Sequence, residues 1–335
     1  MINKNPYLYY SRKILIFILS IFLLSVAVFY VARLAPGDAL FSYYGSRVEK
    51  MSPKEREHAE KKLGLDAPIH IQYIRWLENA AHGNFGISFK YKTDVLEVIK
   101  ERLPNTLLLG GIGFLFIFIL SPMLGILCIL YNGKWLDKLI CKVGTIISCI
   151  PEFWMSLVLI LIFAINLKWF PSSGAYFIGR EGDIWGRILH LILPMTVVIA
   201  SHLWYYAYMV RNRLLREIGT GYVLLEKSVG FSKRSIIFKH CLRNVLPSYL
   251  SIMAISVPHI MGGTYIVETV FSYPGIGTLS YESARYKDYN LLMVLCIMSG
   301  TVVILCNIIA QIIDERIDPR IRESETARIM EVSDV

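Results

Sequence analysis

Long apolar runs separated by charged connections dominate this sequence. Six runs reach the length of about 20 residues that an α-helix needs to cross about 30 Å of hydrocarbon. They cover about 14–34, 105–130, 139–166, 188–210, 247–270 and 290–313. Several contain Gly or Pro, which membrane helices tolerate when neighbouring helices satisfy the freed backbone groups. The pattern predicts an all-α integral membrane protein with six transmembrane helices.

The distribution of Lys and Arg predicts how these helices are oriented. Short cytoplasmic loops carry an excess of positive residues. With the N-terminus inside, the bases concentrate in the connection around 134–142, in the connection 211–246 and in the tail 315–335, whereas the short outside loops hold fewer. Both termini are therefore expected in the cytoplasm of a multi-pass protein of the cell (inner) membrane. The first run is too long for the hydrophobic region of a signal peptide, which favours an uncleaved anchor in residues 1–34.

Composition adds little to this picture. Hydrophobic residues make up 55% of the 335 residues, and the net charge of +9 follows from the topology, so it gives no reason to expect a nucleic-acid partner. Membrane lipid is the expected surrounding. The six cysteines lie in predicted spans or on the inside, so no disulfide framework is expected. They are Cys128, Cys141, Cys149, Cys241, Cys296 and Cys306.

The first long connection, residues 35–103, is predicted to form an extracytoplasmic helical segment. Ser52 followed by Pro53 is typical of a helix start, and Gly64 ends that helix after about Lys62. A second helix is expected over 69–81, and a third over 95–103, leading into Pro104 at the start of the second span. The segment is either a solvated cap or a landing surface for an external partner, and the residues leave both interpretations open.

The connection 211–246 has a more specific pattern. A short helix over 222–229 is expected to end at Gly230 in the left-handed conformation, and Ser232 is a suitable N-cap for a second helix to 246. One stripe of that second helix is expected to be apolar, and Pro247 is expected to open the fifth span. The stripe comprises Ile236, Ile237, His240 and Cys241. Such an element either docks a soluble partner or rests on lipid headgroups, and the sequence pattern alone does not distinguish these two interpretations.

Ionisable residues inside the spans are the candidates for lining a path, because such groups are costly in the membrane. They are Glu152, His202, His259 and Glu268. Each has a structural alternative: a hydrogen bond between helices for the histidines, an anchor for a helix kink at Glu152, and a cap of the outer loop at Glu268. Three histidines, His190 among them, lack the short spacing of a closed metal site, so no metal centre is predicted.

The sequence contains none of the catalytic motifs that were considered. It contains no G-x-x-x-x-G-K-[ST] loop that would hold nucleotide phosphates, and no H-E-x-x-H motif or serine-hydrolase arrangement. The sequence therefore predicts no catalytic residue and no cofactor, and an ATP site would have to lie on another polypeptide.

A series of ordered motifs resembles the permease subunits of binding-protein-dependent ABC importers of the peptide/nickel class. The segment 222–247 (YVLLEKSVGFSKRSIIFKHCLRNVLP) resembles their cytoplasmic coupling loop, although 224–227 are bulkier or more charged than is usual there. The other motifs are RLAPGD (33–38), RLPNTL (102–107), IPEFW (150–154), FPSSG (170–174), ETVFSYPGIG (268–277) and DPRIR (318–322). Their succession extends over nearly the whole chain.

The resemblance implies the type I importer permease arrangement, with a permease core over 104–314. It also implies a second permease, two cytoplasmic ATPases and an external solute-binding protein, with short peptides or nickel, free or chelated, as cargo. The residues expected to couple to the ATPase are Tyr222, Glu226, Ser228, Gly230, Phe231, Ser232, His240, Arg243 and Asn244. The alternatives are an ion-coupled secondary transporter and a non-transporting membrane sensor or enzyme.

Overall fold

The computed structural model describes residues 6–34 and 39–317, and almost all of their regular structure is helical. Within these residues the only β-type pairing is a single bridge between Ile87 and Asp94. The predicted all-α class is therefore confirmed. Most of the RLAPGD motif, the whole DPRIR motif and nearly all of the predicted tail lie outside the described residues.

Thirteen helices follow one another in the described chain. They are α1 (Pro6–Leu34), α2 (Ala39–Tyr44), α3 (Pro53–Lys62), α4 (Ile69–Ala81), α5 (Val95–Leu130), α6 (Trp135–Ser148), α7 (Glu152–Leu159), α8 (Ile184–Ile218), α9 (Gly221–Ser228), α10 (Lys233–Ser235), α11 (Leu242–Val270), α12 (Ile276–Arg285) and α13 (Tyr289–Ile317). A 3₁₀ turn, Gly45–Lys50, follows α2. Two π-helical turns extend α7 over Ile160–Asn166 and join α10 to α11 over Ile236–Cys241.

Five helices of the described chain are long and apolar enough to cross a membrane: α1, α5, α8, the continuous helix Lys233–Val270, and α13. The pair α6 and α7 makes a sixth if its two halves form one span. The third run, 139–166, forms two helical halves, and the helix axis bends by 97° between them. Pro151 lacks a backbone N–H, and its ring disfavours helical backbone at Ile150, so the helix breaks there.

Other predicted boundaries are wrong for a common reason. The helix expected over 95–103 is continuous with the second span through Pro104, and Pro247 lies inside α11 instead of starting it. The fourth helix continues to Ile218, well past the predicted end at residue 210. Apolar content locates the part of a helix that suits a membrane, whereas backbone hydrogen bonds extend the helix into polar sequence.

The chain forms two compact units, of which one comprises residues 1–106 and 274–305. In this unit α4 packs on α1, where Tyr73 is buried against Phe29 with ring centroids 5.2 Å apart and shares a 2.9 Å hydrogen bond with Ser25. The predicted helices at 53–62 and 69–81 are present, and Ser52 closes a capping box with Glu55. Gly64 has a φ of +67° and ends α3, as predicted. The short α2 and the 3₁₀ turn were not predicted.

A buried aspartate organises the other end of this unit. Asp288 precedes α13 and is fully buried; its Oδ2 accepts hydrogen bonds from the Ser88 hydroxyl and, at 3.1 Å, from the Lys90 N–H. Its Oδ1 accepts a 3.3 Å bond from the Leu291 N–H, which is one of the free donors at the start of the helix. Asp288 therefore ties the loop before α5 to the start of α13.

The second unit comprises residues 107–273 and 306–335. Its described core is one apolar cluster formed mainly by α5, α8 and α11, with buried side chains such as Ile117, Val197 and Ile260. The helices approach closely where side chains are small: a Cβ at Gly144 of α6 would lie 2.7 Å from the Trp204 ring of α8. The same packing carries the two features described next, a surface element at one end of α8 and a cavity beside it.

Candidate functional site

The candidate coupling element comprises α9, Gly230 and α10 with the π-helical turn that follows. Gly230 has a φ of +94°, a conformation that side chains with a Cβ rarely adopt, and its surroundings are otherwise open. The Ser232 hydroxyl accepts a 3.3 Å hydrogen bond from the Ser235 N–H and caps the second helix. The predicted helix end and N-cap are both confirmed.

The coupling element has a buried face and an exposed apolar face. Val223, Ile236, Ile237 and Cys241 are at most 2% exposed and anchor the element in the core of its unit. The exposed apolar side chains are Leu224, Leu225, Val229, Phe231 and Phe238, each with about half or more of its surface accessible. Exposed apolar patches on a well-anchored element are typical of interaction sites.

Polar contacts fix the element internally. His240 Nδ1 lies 2.9 Å from Glu226 Oε1, so His240 pairs with an acid and the prediction that it belongs to the apolar stripe is wrong. Asn244 Nδ2 and the Tyr222 hydroxyl both donate to Glu217 Oε1, at 2.9 and 2.8 Å. Burial, followed by this bond to Glu217, raises the pKa of Tyr222, so its hydroxyl stays a donor.

The predicted coupling residues thus divide into those held by contacts and those open to a partner. Ser228 and Arg243 are exposed, as are Phe231 and Ser232, whereas Tyr222, Glu226 and His240 are partly buried. Asn244 is exposed but hydrogen-bonded. Glu217 is the residue that the sequence did not single out; its position at the last turn of α8, five residues before Tyr222, is the signal that could have shown it.

A cavity of about 990 Å³ lies between α6, α7, α8 and α11. Its volume is at the upper end of the range of about 300–1,000 Å³ that is usual for small-molecule sites. The polar and aromatic residues that line it include Ser148, Glu152, Ser201, His202, Trp204, Tyr205, Tyr208, Arg211, Asn212, Arg216 and His259.

Three of the four predicted path residues meet in this cavity. Glu152 Oε1 lies 3.9 Å from His202 Nδ1, and the His202 and His259 rings are 5.5 Å apart. His202 Nδ1 lies 2.8 Å from the Ser201 hydroxyl and 3.1 Å from the Val198 carbonyl oxygen. Glu268 is elsewhere: it is fully buried in the last turn of α11, 3.4 Å from the Thr264 hydroxyl. His190 also lies apart, against Phe177.

An ion pair that the sequence did not indicate lies beside the cavity. Arg211 donates to both oxygens of Asp137, at 2.8 and 3.0 Å, and joins α8 to α6. Cys128 and Cys141 place their sulfurs within 4.8 Å of an Asp137 oxygen and of each other, a set of metal-type ligands. A metal ion there would compete with Arg211 for the carboxylate. A lone acid in an otherwise basic connection was the signal available in the sequence.

Comparison with known proteins identifies the family of this chain. Residues 121–323 match the family model described as "Binding-protein-dependent transport system inner membrane component", and residues 7–110 match the N-terminal model of the same system. The chain belongs to this family. It is a multi-pass permease subunit of an ABC importer, as the motif resemblance predicted.

Two curated relatives extend the match along nearly the whole permease. This chain is 34% identical over 314 residues to the oligopeptide transport system permease protein AppB of Bacillus subtilis, and the match covers 93% of this chain and 98% of AppB. It is 32% identical over 308 residues to the oligopeptide transport system permease protein OppB of Haemophilus influenzae, covering 90% and 95%.

Similarity to solved structures supports the fold. An inward-facing structure of the MetNI methionine ABC transporter matches with a TM-score of 0.54 at 17% identity, covering 67% of this chain and 97% of the other. The helical core is therefore of the same type as that ABC importer permease.

Proposed function

We propose that this permease forms half of a translocation path for short peptides and that separate ATPase subunits drive it through the coupling element. The curated relatives named above are oligopeptide permeases. This supports peptides over nickel as cargo. An external solute-binding protein would deliver the peptide, and a second permease would complete the path in the membrane.

The two-faced coupling element is the observation that carries this proposal. Its buried residues, Val223 and Ile237 among them, are fixed to the core of the unit that contains α8 and α11. Its exposed face presents Leu225 and Val229, 65% and 70% accessible, on either side of basic Lys227. A partner that binds this face would therefore transmit force to α8 and α11 through a rigid element.

The proposed topology places both termini and the coupling element in the cytoplasm. The segment 35–103 would then lie outside, as a helical insertion between the first two spans and a landing surface for the binding protein. The core over 104–314 would adopt the type I importer arrangement in the lipid of the cell membrane, with α6 and α7 as one broken span.

Within the core, the cavity residues Glu152, His202 and His259 are assigned to the path. Glu268 is assigned a structural role at the outer end of α11, because it is fully buried and Tyr273 donates a 2.8 Å backbone bond to its carbonyl. No catalytic residue, resident metal or cofactor is assigned to this subunit, because nucleotide hydrolysis would occur on its partners.

Photocrosslinking tests the docking geometry. A photoreactive amino acid at Ser228 or Phe231 should capture the ATPase subunit in membranes, whereas the same probe at Lys54 of α3 should capture none. In proteoliposomes that contain the whole importer, peptide uptake should require ATP and the binding protein. Uptake driven by an ion gradient with this chain alone, or ATPase capture at Lys54, would contradict the proposal.

A further inference from the structure

The side chain of Glu152 is held in an unusual state at one end of the cavity. It is only 18% exposed, and its Oε1 lies 3.9 Å from His202 Nδ1, which is beyond hydrogen-bond distance. Its Oε2 is enclosed and has no hydrogen-bond partner among the described residues. A carboxylate that is withdrawn from water without hydrogen bonds is costly, and such a group in a native fold calls for a ligand or another explanation.

The surroundings of Glu152 suit a positive group. His202 Nδ1 faces the Val198 carbonyl oxygen and the Ser201 hydroxyl, and a proton on that nitrogen would leave Nε2 of the neutral ring as a hydrogen-bond acceptor. The exposed rings of Tyr205 and Tyr208 line the same cavity and can bind a cation through their faces.

The opposite end of the cavity has the opposite character. Arg211 and Arg216 line it; Asp137 balances the charge of Arg211, whereas Arg216 is exposed. From His202 to Arg216 the axis of α8 rises by about 21 Å, at about 1.5 Å per residue. A zwitterionic chain in this cavity is therefore favoured with its positive end toward Glu152 and its negative end toward Arg216.

We propose that Glu152 recognises the free amino terminus of the peptide cargo as the peptide passes through this cavity. This inference rests on the proposed function and adds the chemical group that is recognised. Rotation of the Glu152 carboxyl group about its last torsion, which is soft, brings an oxygen to the ammonium group. The ammonium donates to Glu152, and its other hydrogens are available to the His202 ring nitrogen and the tyrosine faces.

The geometry favours an ammonium over a metal ion. The ligand atoms of Glu152, His202 and His259 do not form a compact set: in the part of the chain that the structure describes, only Cys128, Asp137 and Cys141 place three such atoms within 4.8 Å of one another. A transition metal needs its ligands about 2.0–2.3 Å away. An ammonium reaches each acceptor at about 2.7–2.9 Å and tolerates a looser arrangement.

Photolabelling of the complete importer in nanodiscs tests this assignment. The probes are a tripeptide with a photoreactive leucine at its centre and the N-acetylated form of the same tripeptide. The binding protein is omitted, so that its own selectivity does not enter, and labelled sites on α7 and α8 are quantified by mass spectrometry. Glu152→Gln is compared with Glu181→Gln, an exposed acid outside the cavity.

The free tripeptide should label the cavity of the unaltered protein and of Glu181→Gln equally. Labelling should fall by about tenfold or more in Glu152→Gln, the lower end of the effect of one hydrogen bond to a charged group. The acetylated tripeptide should label all three proteins weakly and equally. Glu152→Asp, which keeps the charge, should retain more labelling than Glu152→Gln and so separates recognition from misfolding.

Equal labelling of the unaltered protein by both tripeptides, or undiminished labelling of Glu152→Gln, would overturn the inference. Displacement of the free tripeptide by stoichiometric nickel ions would do so as well, because it would assign the site to a metal. ATP-dependent uptake by Glu181→Gln is measured in parallel, in proteoliposomes that contain the whole importer with its binding protein. If that uptake is present while the labelling criteria fail, only the amino-terminus assignment is wrong; if uptake is absent, the proposed function fails with it.

Discussion

Glu226 and His240 lie on opposite sides of Gly230 in the chain and meet at 2.9 Å between Oε1 and Nδ1. Their contact closes the coupling element on itself, so that α9 and the π-helical turn form one body. Phe231, between them in sequence, has its ring centroid 6.2 Å from that of His240. The exposed apolar face is therefore presented by a closed hairpin of helices.

Removing this contact should loosen the element. In Glu226→Gln the charge is lost and the bond to His240 weakens; because the histidine is 39% exposed, the cost is expected to be about 1 kcal/mol or less. Amide hydrogen exchange in α9 should become faster, and peptide uptake per ATP hydrolysed should fall. Lys239→Gln, an exposed change on the same turn, is the control; equal exchange in both variants would contradict the role of the contact.

The backbone at Gly230 gives a sharper test. Gly230→Ala has open space for its Cβ, so its only penalty is the left-handed φ of +94°, about 1–2 kcal/mol. Gly221→Ala also enters open space, but its φ is not positive. We expect Gly230→Ala to reduce peptide uptake relative to ATP hydrolysis while membrane insertion and Gly221→Ala stay normal. Gly230→Val should be more severe, and normal coupling in that variant would count against the geometry.

The pair Asp137–Arg211 should contribute strongly to stability. Their side chains are 4% and 17% exposed, and removing one partner of a buried pair costs about 3–5 kcal/mol. Asp137→Asn should therefore lower the unfolding temperature of the purified protein, measured in detergent. Asp137→Asn with Arg211→Gln should recover part of the loss, since no unpaired charge remains. The exposed Lys138→Gln should have no effect; a loss as large as that of Asp137→Asn would refute the assignment.

Acid should loosen the contact between α12 and the loop before α5. Burial alone would raise the pKa of Glu282, but hydrogen bonds from Lys90 Nζ at 2.6 Å and the Tyr91 hydroxyl at 2.5 Å outweigh it and hold the pKa below its usual value of 4.5. Because the folded pKa is the lower one, this stabilisation is complete above about pH 4.5 and is lost as the pH falls through the folded value.

Hydrogen exchange in residues 88–92, compared between pH 7 and pH 3 after correction for the intrinsic rate, measures this effect. Protection should decrease on acidification in the unaltered protein. Glu282→Gln should already have low protection at pH 7 and change little with pH. An unchanged acid response in that variant would show that another group is responsible.

Sequence reasoning was most successful where local chemistry decides the structure. Ser52 with Pro53, Gly64, Gly230 and Ser232 define helix ends through capping or backbone conformation, and each is found as predicted. These effects act within a few residues, so the sequence contains all that is needed to predict them.

Prediction failed where distant residues decide. The ion pair Asp137–Arg211 joins positions 74 apart, and Ser88, whose hydroxyl donates to Asp288, lies 200 residues before it. In the third run a kink at Glu152 was one predicted alternative, but the hydropathy is continuous across Pro151 and does not show that the axis bends there by 97°. For the site, the sequence supplied Glu152, His202 and His259 as separate candidates, and only the packing of α7, α8 and α11 shows that they share one cavity while Glu268 does not.

The π-helical turn Ile236–Cys241 contains one residue more than an α-helical path through the same contacts would need. Each residue of an α-helix turns the chain by about 100°. Deleting one residue here would let the helix run regularly into α11, and it would swing everything before it, including Phe231 and the apolar face, through about a quarter turn. The direction in which the exposed apolar face points therefore depends on one extra residue. Deleting that residue would leave the face intact but turn it away from its present direction.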